Sequence, residues 1–222
     1  MPSITDYLSR AMAYCWDESH GYSQTNDGMG NPDFDCSGLV GRCLYEAGFN
    51  YPSYHVGTMN MDDNPMSSMN ALGGAGFQLI HVTDLNNIPP LKHGDIIVEN
   101  SYSLDWQANG GHTFIYAEDI RAYTDPTALS DNIGIVSQAK VEASSSRGHT
   151  SAGDSRCNGT GAYWEVWCHA YSQLISSYYD PQSTQYHNYV TIARIDDEWW
   201  PLFVAGAMLL PHSYKKRRPD HA

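Results

Sequence analysis

One cysteine in this chain stands where residue type and spacing can do chemistry. It is Cys36, in DFDCSGLVGRCLYEAGF, residues 33–49. A thiol in the first turn of a helix faces unpaired backbone N–H groups and the positive end of the helix dipole, which favour thiolate and lower its pKa. Asp33 or Asp35 can cap that helix, and Ser37 and Gly38 keep its first turn small enough for a substrate to approach. Position alone leaves nucleophile and core thiol equally open, because free cysteine is among the most buried residue types. Cys43, seven residues on along the same face, reads as core.

A cysteine nucleophile needs a base. Of the ten histidines, His112 stands apart, since NGGHTFIYAED sets it behind two glycines at the start of an apolar strand, where the ring can face a cleft while the backbone stays in a sheet. His55, His81, His93, His149, His169, His187 and His212 fall in polar or aromatic loops and strand ends and read as surface or locally satisfied side chains. A third polar group must orient the imidazole. The stretch IGIVSQAKVEA, 133–143, offers Gln138 and Glu142 at the same strand parity, and alternation does not choose between them.

Helices and strands must hold these residues in place. Ile4, Tyr7, Leu8, Ala11 and Met12 recur at helical spacing behind a capping Ser3, which predicts a helix over 4–15. Residues 20–33 are rich in Gly, Asn and Asp and read as irregular chain. From Cys36 the apolar or small positions 36, 39, 40, 43, 44 and 47 predict a second helix, with Gly48 as its left-handed stop. Residues 50–92 read as a long excursion with a short helix at most. Strands are expected at 94–100, 112–119, 133–143, 163–170 and 189–195, from β-branched and aromatic residues between turn-forming stretches. Helices first and strands afterwards predict an α+β fold, with N-terminal helices packed on a central antiparallel β-sheet.

Composition narrows the partners. A formal charge of -13, with the only basic cluster at Lys215, Lys216, Arg217 and Arg218, disfavours nucleic acid and anionic membranes. The longest apolar stretch, 199–210, is too short for a spanning helix and is broken by Pro201, so no integral membrane association is expected. The five cysteines form no CxxC pair. Free thiols are the default, with a Cys157–Cys168 bridge open only outside a reducing cell. The acidic spacing in NDGMGNPDFD lacks the ligand series of an EF-hand loop and reads as a turn with a helix cap, so neither metal nor cofactor is expected. The 16 tyrosines and 6 tryptophans, most of them packing residues, leave 175–189 as the stretch to shape an aromatic groove.

DFDCSGLV, LKHGDIIV and GGHTFIY, in that order and followed by a strand with a polar residue, resemble the NlpC-type papain-like cysteine peptidases of bacterial cell walls. The related CHAP amidase/peptidase group shares the plan. GYSQ at 21–24 and the stretch from KVEAS onward look like phage-encoded endolysins. The resemblance implies a papain-like fold, Cys36 as nucleophile and His112 as general base, with Glu142 the first choice to orient the ring and Gln138 the second. It implies Tyr22 as a donor to the developing oxyanion beside the Cys36 backbone N–H, and Asp35 and Ser37 as neighbouring oxyanion or substrate groups.

The expected layout is a single catalytic domain over 1–198 with insertions at 50–92 and 170–188, then a C-terminal extension over 199–222. The expected activity is hydrolysis of peptidoglycan amide bonds, by a cysteine endopeptidase or an N-acetylmuramoyl-L-alanine amidase, with stem peptide and glycan as partners. The mixed polarity of residues 1–20 leads us to expect no secretory leader, with synthesis in the cytoplasm and action at the bacterial wall after holin-type release. Two other readings stay open: an acyl transferase or transglutaminase-like enzyme on the same fold, and a non-catalytic wall-binding or structural protein.

Overall fold

A computed structural model describes residues 2–17, 19–24, 27–124, 132–145, 165–170 and 175–195, the stretch 165–170 by its backbone alone. The Cys157–Cys168 pairing, the 199–210 apolar stretch, the basic cluster and the C-terminal extension lie outside the described residues.

Helix α1 spans Ile4–Cys15, and its expected cap is present: the Ser3 hydroxyl accepts from the Asp6 N–H at 3.0 Å. Helix α2 spans Cys36–Glu46 and is capped by Asp35, whose carboxylate accepts from the Gly38 N–H at 2.6 Å. Leu39, Val40, Cys43 and Leu44 form its buried face, and Gly48 follows with φ +83°, as a left-handed stop requires. A short helix, α3, spans Ala71–Gly74.

The strands are β1 Gln78–Val82, β2 Ile96–Tyr102, β3 Ala108–Ala117, β4 Ile120–Tyr123, β5 Ile133–Val136, β6 Ala139–Ser144, β7 Glu165–Ala170 and β8 His187–Arg194. They form one sheet in the order β1-β8-β2-β3-β6-β7-β4-β5, antiparallel except where β4 meets β7. The fold is therefore α+β, with an antiparallel sheet and few helices.

Three sequence expectations need correction. The run 133–143 is two strands, because β5 pairs with β4 whereas β6 pairs with β3 and β7, and Ser137 and Gln138 bend between them. Apolar alternation passes through both and does not reveal that the hydrogen-bonding partner changes. Strand β3 begins at Ala108, not 112, since Gly110 and Gly111 pair with Ser101 and Asn100 of β2, so His112 lies inside the strand. The excursion 50–92 contributes β1, an edge strand of the sheet paired with β8.

The sheet is buried on both faces at its centre. Ile96, Val98, Ile115, Ala117 and Val141 point to the layer that holds α1 and α2. The alternate residues Ile97, Phe114 and Tyr116 join Val82, Ile175, Val190 and Ile192 on the other side. The excursion adds Met61, Leu72 and Phe77 to the helical layer. Its Asp62, fully buried, accepts from Thr191 Oγ1 at 2.7 Å and from the Asn64 and Asn100 amides, which ties it to β8 and β2. Among the described residues no helix is long and apolar enough to cross a membrane.

Candidate active site

The site forms where the sheet opens. The β3–β6 ladder ends at Ile115↔Val141, while β3 continues against β2 and β6 continues against β7. His112 and Glu142 both lie beyond that last pair, one on each parting strand. The rings of His112 and Phe114, two residues apart, lie 6.0 Å apart at 34°, as strand alternation places them on one face.

Across the opening, Glu142 Oε2 accepts from His112 Nε2 at 2.6 Å, with the Glu142 side chain only 3 % exposed. The Cys36 thiol is the ring's other partner, interacting with it through a side-chain hydrogen bond and charge. Burial alone pulls the ring toward neutrality. The hydrogen bonds to Cys36 and Glu142, and the charge of both partners, outweigh it and hold His112 well above the ordinary histidine range. The structure thus brings Cys36, His112 and Glu142 together. Gln138 is not brought to the ring: it lies in the bend before β6 and lines a shallow pocket with Tyr116 and Glu118.

Cys36 is the first residue of α2 and 6 % exposed. The Cys36 and Ser37 N–H groups have no carbonyl of their own helix to bond. The loop 27–35 presses on this turn so closely that a Cβ at Gly38 would sit 1.7 Å from the Gly28 carbonyl oxygen, so only glycine fits there. The acidic residues of that loop are engaged by the protein itself: Asp27 accepts from the Met29 N–H and Asp33 from the Gly21 N–H. Asp35, besides capping, accepts from Ser37 Oγ at 2.9 Å and pairs with His55 Nε2 at 2.7 Å. The Asp35 carboxylate, opposed by partial burial, raises the His55 pKa. Asp35, Ser37 and His55 are accordingly a brace for the α2 N-terminus.

Tyr22 reaches the site through a bridge between its backbone and that of Phe34. Burial, then the charges of Cys36 and Asp35, push its phenol up to about 12, so it remains a donor at every physiological pH. Gln24 Nε2 donates to its oxygen at 2.9 Å.

Two site groups were not singled out from the sequence. Glu99 of β2 is the Cα partner of His112 and only 2 % exposed. Tyr179, in the turn Ser177–Tyr179, is raised first by burial and then by the charges of Glu99 and Cys36, which places its phenol at the same opening. Tyr179 lies in the stretch suspected of shaping a groove, whereas a lone Glu in IIVEN carries no spacing signal. Gly111 shows why a glycine precedes His112: a Cβ there would lie 2.2 Å from Thr58 Oγ1, so a side chain would push the excursion off β3.

Neither protein-family models nor curated proteins give a match to this chain. What the site can do therefore rests on its own geometry. Thiol, imidazole and carboxylate in series, with backbone and phenol donors beside the thiol, can form and break an acyl–sulfur bond.

Proposed function

We propose that the chain is a papain-like cysteine hydrolase of NlpC type that cleaves amide bonds of peptidoglycan, as an endopeptidase or N-acetylmuramoyl-L-alanine amidase of the endolysin kind. The observation that carries this reading is the Glu142–His112 hydrogen bond of 2.6 Å on a ring that also interacts with a helix N-terminal cysteine. A carboxylate spent on Nε2 fixes the ring so that Nδ1 serves the thiol, which a packing cysteine does not require.

In the proposed reaction His112 takes the Cys36 proton and the sulfur attacks the amide carbon. The tetrahedral oxyanion is held by the Cys36 backbone N–H and Tyr22. As the C–N bond breaks, His112 gives its proton to the leaving amine, and the acyl group remains as a thioester on Cys36. His112 then draws a proton from water, whose oxygen attacks the thioester; the C–S bond breaks and the thiol is restored. Removing a single oxyanion donor costs about 100-fold or more in such enzymes.

The deciding experiment digests purified peptidoglycan of several chemotypes with wild type and with Cys36→Ala, and identifies new termini by mass spectrometry. New amino and carboxyl termini with wild type alone are expected. Their absence from every wall type sinks the hydrolase reading, and products joined to an added amine turn it into a transferase.

A further inference from the structure

We propose that Glu99 is a positioning residue for His112: a second carboxyl, across the ladder from the ring, that joins Glu142 in holding the imidazole protonated opposite the Cys36 thiol. The inference deepens the reading of Cys36 and His112 as a reactive pair and rests on it.

The geometry comes from the register. Glu99 and His112 are direct partners in the β2–β3 ladder, so their Cβ atoms stand about 5 Å apart on one face. The carboxyl is 2 % exposed, and its Oε1 has no hydrogen-bond partner among the described residues. A buried carboxyl so poorly paired costs stability, which is the usual mark of a functional demand. Nothing in the packing calls for it: Val190 is its partner on the β8 side, and Ile97 precedes it on the same face of β2.

Its electrostatic surroundings are asymmetric. From β3 it faces His112, from β6 Lys140 and Glu142, and from the turn after Ile175 the Ser176 N–H and the Tyr179 phenol. On β8 the same-face neighbours Asn188, Val190 and Ile192 do not titrate. Burial raises the Glu99 pKa first of all, and the charge of Glu142 adds to it. His112, Lys140 and Ser176 oppose the rise, and the carboxyl settles at about 7. Glu99 therefore ionises across neutral pH. Of its charged neighbours the new charge interacts most strongly with His112, so it favours imidazolium and with it the thiolate–imidazolium form of the pair.

The test follows alkylation of Cys36 by iodoacetamide against pH, read on the Cys36 peptide by mass spectrometry, in wild type and Glu99→Gln. Alkylation needs no wall substrate, so its outcome is separate from whether the chain cleaves peptidoglycan. Wild type is expected to gain severalfold in rate with a midpoint near 7, and E99Q to stay at the lower level across the same window. Superimposable profiles, or a faster E99Q throughout, overturn the proposal. Should E99Q not fold, wild-type protein labelled with ¹⁵N-histidine decides. The His112 ring should keep imidazolium shifts above pH 7 and register a second ionisation near 7; a ring that loses its proton near 6.5 with no second inflection overturns the proposal.

Discussion

At the scale of single residues, the site is a series of carboxylate, imidazole and thiol whose members act through one another. Because Glu142 and Cys36 raise the folded-state pKa of His112 above its unfolded value, the stability contributed by the protonated ring is present below about pH 6.5. It is lost as pH rises through the folded value. Replacing Glu142 by Gln removes one of the two stabilising partners. E142Q is expected to melt below wild type at pH 6 to 7, with the gap narrowing in alkaline buffer, as followed by circular dichroism. Turnover in the proposed hydrolysis should fall by about 100-fold to 10,000-fold, because the amide no longer fixes the ring tautomer. Equal melting at both pH values would mean that the 2.6 Å contact does not hold the proton.

At the scale of elements, the N-terminus of α2 decides whether the thiol reaches the ring. Asp35 serves that helix three times, to the Gly38 N–H, the Ser37 hydroxyl and His55. Asp35→Ala should cost about 1 to 2 kcal/mol for the cap alone, a fall of roughly 2 to 8 °C in melting temperature for a chain of this size. Asp35→Asn keeps a capping oxygen but loses the charge opposite His55, and should fall between A and wild type in the same melts. If Asn is as damaging as Ala, the His55 ion pair and not the cap holds the turn.

The whole molecule is tied together by polar contacts between segments far apart in sequence. Arg194, at the end of β8, donates through Nε at 2.8 Å and through a terminal nitrogen at 2.5 Å to Asp95, just before β2, and also to the Pro90 carbonyl. The Asp95 side chain is 2 % exposed. Arg194→Ala removes the guanidinium opposite that buried charge, leaving it the Lys92 N–H at 2.8 Å, and should cost about 3 to 5 kcal/mol, seen as a lower urea midpoint with an unchanged slope. A smaller loss would show that water reaches Asp95 once the guanidinium is gone.

The amino-acid sequence by itself determined what depends on neighbours within a few residues. Both long helices, their caps at Ser3 and Asp35 and the stop at Gly48 follow from 3.6-residue periodicity and local hydrogen bonding, and four of the strands are legible from side-chain type. Cys36 and His112 stood out as candidates through residue type, helix position and flanking glycines, whereas Tyr22 entered only through the family resemblance. Only the tertiary structure decided between Glu142 and Gln138, because the choice depends on where β6 begins and which strand it leaves at the opening. It also placed Glu99 and Tyr179 in the site and β1 at the edge of the sheet. Strand register and partner choice join residues dozens of positions apart, and no local pattern of polarity encodes which strand a carboxyl will face.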